Sequence, residues 1–220
     1  MMRRTLPWIL SAAFLTAPLA ADDKLGHKIE RSREVFVELL DAPDRKIPRE
    51  LLDDAECIAI IPAVIKGAIG WGGRHGRGVL ACRQHGDWSP PTFVKLTGAS
   101  FGLQIGAEST DFVLFLMTRH SIESLLESKF VLGGGVSVAA GPLGRSAELG
   151  TDAKLNAEIY AYARSRGLFA GASLEGSRLA PDQKANRRYY GRRIWPEDIL
   201  FGRKVRQVPA EVRALQKALP

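Results

Sequence analysis

Gly98-Ala99-Ser100-Phe101-Gly102 has the G-x-S-x-G spacing of a nucleophile elbow, and Asp111 and His120 follow in an order a hydrolase triad can take. That chemistry needs a strand, a sharp turn at the serine and then a helix, so that the hydroxyl stands open beside a base. Here Phe101, Leu103 and Ile105 continue in alternation, which carries the segment on as a strand, and Asp111 heads the apolar run DFVLFLM. Ser100 therefore reads as a small residue on a tight strand face, with a serine hydrolase as the remote alternative. Gly76-Arg77-Gly78-Val79-Leu80-Ala81 has the loose form of a dinucleotide fingerprint, but that motif must open a helix and Val79–Arg83 is strand-like. His27, His75, His85 and His120 show no i,i+4 pairing, and the two cysteines are not spaced as a zinc pair. The reading is a non-enzyme with no cofactor and no metal site.

Basic clusters remain. Lys66, Arg74, His75 and Arg77 surround a glycine-rich turn beside Trp71. Residues 184–206 hold Lys184, Arg187, Arg188, Arg192, Arg193, Arg203, Lys204 and Arg206 against Glu197 and Asp198, with Tyr189, Tyr190, Trp195 and Phe201 interleaved. Arginine beside tyrosine or tryptophan suits a lipid surface, with charge for phosphate and amphipathic rings for the interface. The same residues suit single-stranded nucleic acid, or no ligand at all if they form a solvated face. The headgroup candidates are Lys66, Arg74, Arg77, Arg145, Arg187 and Arg188; the interfacial aromatic candidates are Trp71, Tyr189 and Tyr190.

The elements that must carry these residues follow from periodicity. Arg3 and Arg4, the apolar run Leu6–Ala21 and the polar Asp22-Asp23-Lys24 have the layout of a secretory signal peptide over residues 1–21, leaving 22–220 as one domain. Periplasmic or secreted placement follows, with nucleic acid then the weaker ligand. The net charge of +7 drops to about +5 without the leader. Lys24–Leu40 reads as a helix with Leu25, Ile29, Phe36, Leu39 and Leu40 on one stripe, expected to dock on a sheet. From Cys57 the period becomes two, in short segments punctuated by glycine, which is costly inside a strand unless the sheet bends or two backbones approach closely. Ala157–Arg164 and Leu168–Glu175 alternate as strands with one buried face, Asp111–Met117 reads as a central strand, and Ser121–Lys129 is a helix capped by Ser121. The fold class is α+β: a curved, barrel-like antiparallel sheet with helices at both ends. Cys57 and Cys82 would be buried thiols in a reducing compartment; after export they are a disulfide candidate joining two strands.

Residues 54–191 resemble the SYLF domain family. The matching pieces are Asp54–Pro62 with Val64-Ile65-Lys66-Gly67, Gly72–Gly78, Gly98–Gly106 leading to Thr110-Asp111-Phe112-Val113, Ser137–Arg145, Gly167–Gly171 and Asn186…Tyr189-Tyr190-Gly191. The resemblance implies non-catalytic lipid or membrane binding, with actin binding in fungal relatives and phosphoinositide binding in eukaryotic ones. For an exported protein it points to acidic phospholipids or a membrane surface, and alternatively to an envelope adaptor that binds another protein.

Overall fold

Every residue of Cys57–Ile61 is apolar, and this run forms the middle of the sheet, buried on both faces. The computed structural model describes residues 23–42, 47–69, 71–101, 106–127, 130–142, 156–165, 167–191, 194–205 and 207–220. The expected leader and Arg145 lie outside the described residues. β1 (Cys57–Ile69) pairs antiparallel with β2 (Trp71–Gln84) on one side and with β5 (Gly106–Leu116) on the other. Beyond β2 come β4 (Thr92–Phe101) and β9 (Ser177–Pro181); beyond β5 come β7 (Ile159–Ser165) and β6 (Val138–Ala140). β3 (Asp87–Trp88) and β8 (Leu168–Gly171) are short additions to β2 and β7.

The sheet curls. Val131 bridges β9 at Arg178, and seven residues later Val138 enters β6 at the opposite edge. Seven residues span at most about 25 Å, whereas the seven strand spacings from Val131 to β6 laid flat require about 34 Å. The segment between turns rather than extends, so the two edges must approach and the sheet forms a half-barrel.

Six helices are described. α1 (Asp23–Leu40), α4 (Gln183–Tyr190) and α6 (Ala210–Ala218) share one core with one sheet face, where Ile29, Phe36, Tyr189 and Val212 meet Ile58, Val79, Phe93 and Phe115. α3 (Arg119–Leu126) and Phe130–Val136 fill the other face against Ala59, Leu80, Leu96 and Leu114. α2 (Arg49–Asp54) buries Leu51, and α5 (Pro196–Leu200) buries Ile199 and Leu200. The N-terminal helix docks as expected: Ile29, Val35, Phe36 and Leu39 are at most 1 % exposed. Leu40, placed on its apolar stripe from sequence, is instead exposed.

Glycine permits the tightest crossing. A Cβ at Gly78 would stand 2.0 Å from the Ile60 carbonyl oxygen, and one at Gly76 would stand 2.5 Å from a Val64 methyl. The approach follows from a bulge in β1 at Pro62–Ala63, where the register with β5 slips between Ile61 and Val64. Ala63 takes a positive φ of 53° there, and its N–H donates to Asp111 Oδ1 at 2.8 Å. Asp111 also faces Arg31 of α1 at 3.6 Å and Arg164 of β7 at 3.7 Å. One carboxylate thus ties the bulge to a helix and a second strand.

Cys57 and Cys82 stand directly opposite in β1 and β2 and form a disulfide. It closes 25 residues of chain, worth about 3 kcal/mol in the loop-entropy model.

Four local expectations are corrected. β6 runs parallel to β7, so the sheet is mixed, because the chain enters β6 from the far edge without a hairpin. β7 is buried on both faces: Tyr160 and Tyr162 enter the helix-side core and end on hydrogen bonds to the Ala157 N–H and the Pro142 carbonyl. In β8 the phase is opposite to the reading, with Phe169 buried and Leu168 65 % exposed, because Phe169 opposes Arg164 and takes its guanidinium over the ring. α3 begins two residues early, capped by Thr118, whose hydroxyl accepts from the Ser121 N–H.

Gly78→Ala should destabilise by at least about 3 kcal/mol in urea unfolding, because the added methyl meets backbone. Gly73→Ala, whose Cβ would meet only the Gly98 carbonyl at 3.6 Å, should cost far less.

Candidate functional site

The basic residues singled out from sequence fall on different surfaces. Lys66 and Arg74 are half-buried and directly opposed across β1 and β2, with Glu108 in register on the other side of Lys66. Residues of β2 two apart share a face, so Arg77 lies on the opposite side of the sheet from Arg74, with the helices. Arg187 and Arg188 are exposed on the outer face of α4, together with Lys184. Trp71 is the last residue paired at its end of β2, opposite Phe101.

Tyr189 and Tyr190 are corrected. They are 2 % and 8 % exposed, so neither ring is available to a membrane interface. Tyr189 packs edge-on against Phe93 and Tyr190, and its hydroxyl donates to Glu211 Oε1 at 2.7 Å. The Tyr190 hydroxyl donates to the Pro91 carbonyl. Burial pushes both phenols well above the ordinary tyrosine range, with Glu211 adding to the shift at Tyr189. The intervening turns of α4 explain why. Asn186 is fully buried, accepts from the Phe93 N–H and donates to Thr92 Oγ1, both at 2.8 Å. Asp182 caps the helix by accepting from the Ala185 N–H, and Gly191 ends it in the left-handed region at φ 65°. The Asn-x-x-Tyr-Tyr-Gly run is therefore a docking device that pins α4 to β4 and turns its three cations outward.

Arg77 joins that outward set. Its guanidinium is 63 % exposed and lies 3.4 Å from Asp182, which is only 10 % exposed. Directly opposite Arg77 in register is Lys95, also exposed. Like charges facing across strands are unfavourable, so the fold itself gains nothing from this pair. Lys28 of α1 lies close by: burial lowers its pKa, Asp111 opposes that shift, and Arg31 and Arg77 add to it. Arg31 is balanced by Glu34 at 3.0 Å. The positive surface therefore centres on Arg77, Lys95 and α4, with its acidic partner beneath. Lys95 was missed in the sequence because a lone lysine in an alternating strand carries no signal.

The hydrolase alternative does not assemble. Ser100 lies within β4 opposite Gly72, and Gly72 lies opposite Ala68 in β1. His120 follows the end of β5, whose Leu116 is opposite Cys57. Eleven residues of β1 separate the two positions, roughly 35 Å. His120 Nδ1 instead lies 2.8 Å from Glu158 Oε1. Glu158 also accepts from Thr118 Oγ1 and the Ser137 N–H, joining α3, the approach to β6 and the start of β7. Burial raises its pKa, but the hydrogen bonds from His120, Ser137 and Thr118 outweigh this and hold the carboxyl below its ordinary value. Among the described residues no group of three His, Cys, Asp or Glu is arranged to hold a metal.

Comparison with known proteins decides the family. Residues 97–220 match the family model described as "Ysc84: Las17-binding protein actin regulator". The chain belongs to the Ysc84 (SYLF) family. Among its SYLF relatives, LAS seventeen-binding protein 3 of Saccharomyces cerevisiae is 43 % identical over 171 residues, covering 76 % of this chain and 37 % of the relative. Protein YSC84 of the same yeast is 42 % identical over 193 residues, covering 84 % and 40 %. The human SH3 domain-containing YSC84-like protein 1 is 36 % identical over 197 residues, covering 88 % and 56 %. The chain thus spans about two fifths to rather more than half the length of these SYLF relatives.

Asn186→Ala leaves a buried N–H and a buried hydroxyl unpaired and should cost about 2–3 kcal/mol by urea unfolding, while Arg187→Ala should cost under about 0.5 kcal/mol. Because the folded-state pKa of Glu158 is depressed, its stabilisation is complete above the ordinary value of 4.5 and is lost as pH falls through the folded value. The stability difference between the native chain and Glu158→Gln should therefore shrink as pH falls through the folded value; a difference that grows below pH 4.5 would contradict this.

Proposed function

We propose that this SYLF domain is a non-catalytic, exported module that docks on acidic phospholipid surfaces through the basic face of α4 and the adjoining strands. The observation that carries the reading is the outward set Arg77, Lys95, Lys184, Arg187 and Arg188, with Asp182 buried beneath it. A near-surface Lys or Arg gains about 1 kcal/mol against an anionic leaflet, so a handful suffices for reversible docking. The absence of a catalytic role is supported by Ser100 lying within a paired strand far from His120, and by relatives named for binding and regulation. Export is supported by the Arg3–Arg4 and Leu6–Ala21 pattern, and agrees with a disulfide between the fully buried Cys57 and Cys82.

A second reading is an adaptor that binds a protein partner. It draws on the yeast relative's name, LAS seventeen-binding protein, and on Trp195 and Phe201, which flank α5 at 53 % and 46 % exposure.

Co-sedimentation with phosphatidylcholine vesicles, with and without phosphatidylglycerol, tests the first reading. Recovery should require the anionic lipid and fall as salt shortens the screening length. The triple change Lys184→Glu, Arg187→Glu, Arg188→Glu should weaken it by at least about ten-fold. Equal recovery on neutral vesicles would refute the electrostatic mechanism, and capture of a defined protein without vesicle binding would establish the adaptor reading.

A further inference from the structure

At the disulfide end of the sheet, a cleft of about 570 Å3 opens between the β2–β3 turn, α3 and the segment leaving α5. Its floor is apolar, formed by Ile122 and Leu126 of α3 with Phe201, which is left 46 % exposed. The volume lies in the range of small-ligand sites.

The charged groups around it divide into two sets. Arg83 is committed to the fold: its guanidinium donates to the Leu52 and Ala55 carbonyls and lies 4.7 Å from the Trp88 ring centre. Arg119 and Glu123 satisfy each other at 2.9 Å. The remaining groups are Arg203 and His85 on one hand and the carboxylates of Glu56 and Glu197 on the other, all four exposed and none in an ion pair among the described residues. Between them stands Gln84. Its Oε1 accepts from Arg203 Nε at 3.4 Å, and its Nε2 is buried without a partner among the described residues. A buried donor left unpaired is unfavourable, and a ligand oxygen would satisfy it.

Backbone conformation shapes the same place. His85 at φ 49° and Gly86 at φ 94° make the two-residue turn that joins β2 to β3 at the rim of the cleft. Arg203 also has a positive φ, 47°, which no such turn requires; strained backbone of this kind is found at ligand sites.

We propose that this cleft binds a zwitterionic amphiphile, an ammonium–phosphate headgroup carried on an apolar tail. The phosphate meets Arg203, His85 and the Gln84 amide; the ammonium, one ethyl linker away, meets Glu56 and Glu197; the tail covers Phe201, Leu126 and Ile122. A purely anionic headgroup leaves both carboxylates facing it, and a quaternary ammonium cannot donate to them. The inference rests on the lipid-binding reading above and adds a headgroup-selective site apart from the basic face.

The test titrates the full chain with soluble dihexanoyl phosphatidylethanolamine, following amide shifts and heat. Saturable binding should shift Gln84, Ile122 and Phe201, and dihexanoyl phosphatidylcholine or phosphatidylglycerol should bind about ten-fold or more weakly. Arg203→Gln and Glu197→Gln should each weaken the ethanolamine lipid by about ten-fold, with unfolding midpoints showing that both variants fold. Free phosphoethanolamine should shift the same residues more weakly, which separates headgroup from tail. Equal affinity for the glycerol lipid, shifts mapping to Lys184 and Arg187 instead, or response only to a dipeptide zwitterion would each overturn the proposal. Binding of acidic vesicles that survives both substitutions leaves the function above standing whatever the cleft does; cleft binding without vesicle binding removes that function alone.

Discussion

The Ile60 carbonyl occupies the space that a side chain at position 78 would need, and the rest of the molecule is arranged around that crossing. β1 can pass so close to β2 only because glycine stands there and because a bulge at Pro62–Ala63 turns the strand. The bulge requires a left-handed alanine, and the Asp111 carboxylate holds its N–H in place. With the sheet bent at its centre, the edges β6 and β9 come near enough for one short segment to link them.

Curling has consequences for both faces. One is covered by α1, α4 and α6, the other by α3 and the segment after it, so nearly every central strand is buried twice. A sheet used on both sides for packing leaves little of itself for a ligand. What remains is its far end, the helix surfaces and the junctions between strand ends and helices. The basic face joins the surface of α4 to two exposed strand residues, Arg77 and Lys95, and the cleft beside Gln84 is of the third kind.

The C-terminal helices divide their residues sharply by role. Asn186, Tyr189 and Tyr190 satisfy their polar atoms inward against Thr92, Phe93, Pro91 and Glu211, and Arg187 and Arg188, one turn position away, point to water. The inward residues fix where the outward charges stand. The SYLF family pattern at Asn186–Gly191 is thus explained as a structural device, with the arginines as its passengers.

Several features were legible in the order of residues alone. Apolar composition at both parities marked Asp111–Met117 as a central strand, glycine inside strands signalled a tight bend, and the motif order over residues 54–191 carried the family. These are local or cumulative properties, which a one-dimensional pattern can hold. What only the tertiary structure decided was which side of each residue faces a neighbour. Tyr189 and Tyr190 look like interface residues beside arginines but are core, because the Phe93 ring and the Pro91 carbonyl meet them from a distant part of the chain. Phe169 and Leu168 exchange roles because Arg164 selects the ring. Lys66, Arg74 and Arg77 lie within one short stretch yet face opposite sides of the sheet. The cleft has no motif, since its walls come from Glu56, Gln84, Ile122 and Arg203 and meet only when a curled sheet brings strand ends to helices. Backbone preference and periodicity are written in neighbouring residues; the meeting of distant surfaces depends on how much apolar area each packing removes from water, and that is settled only by the whole chain.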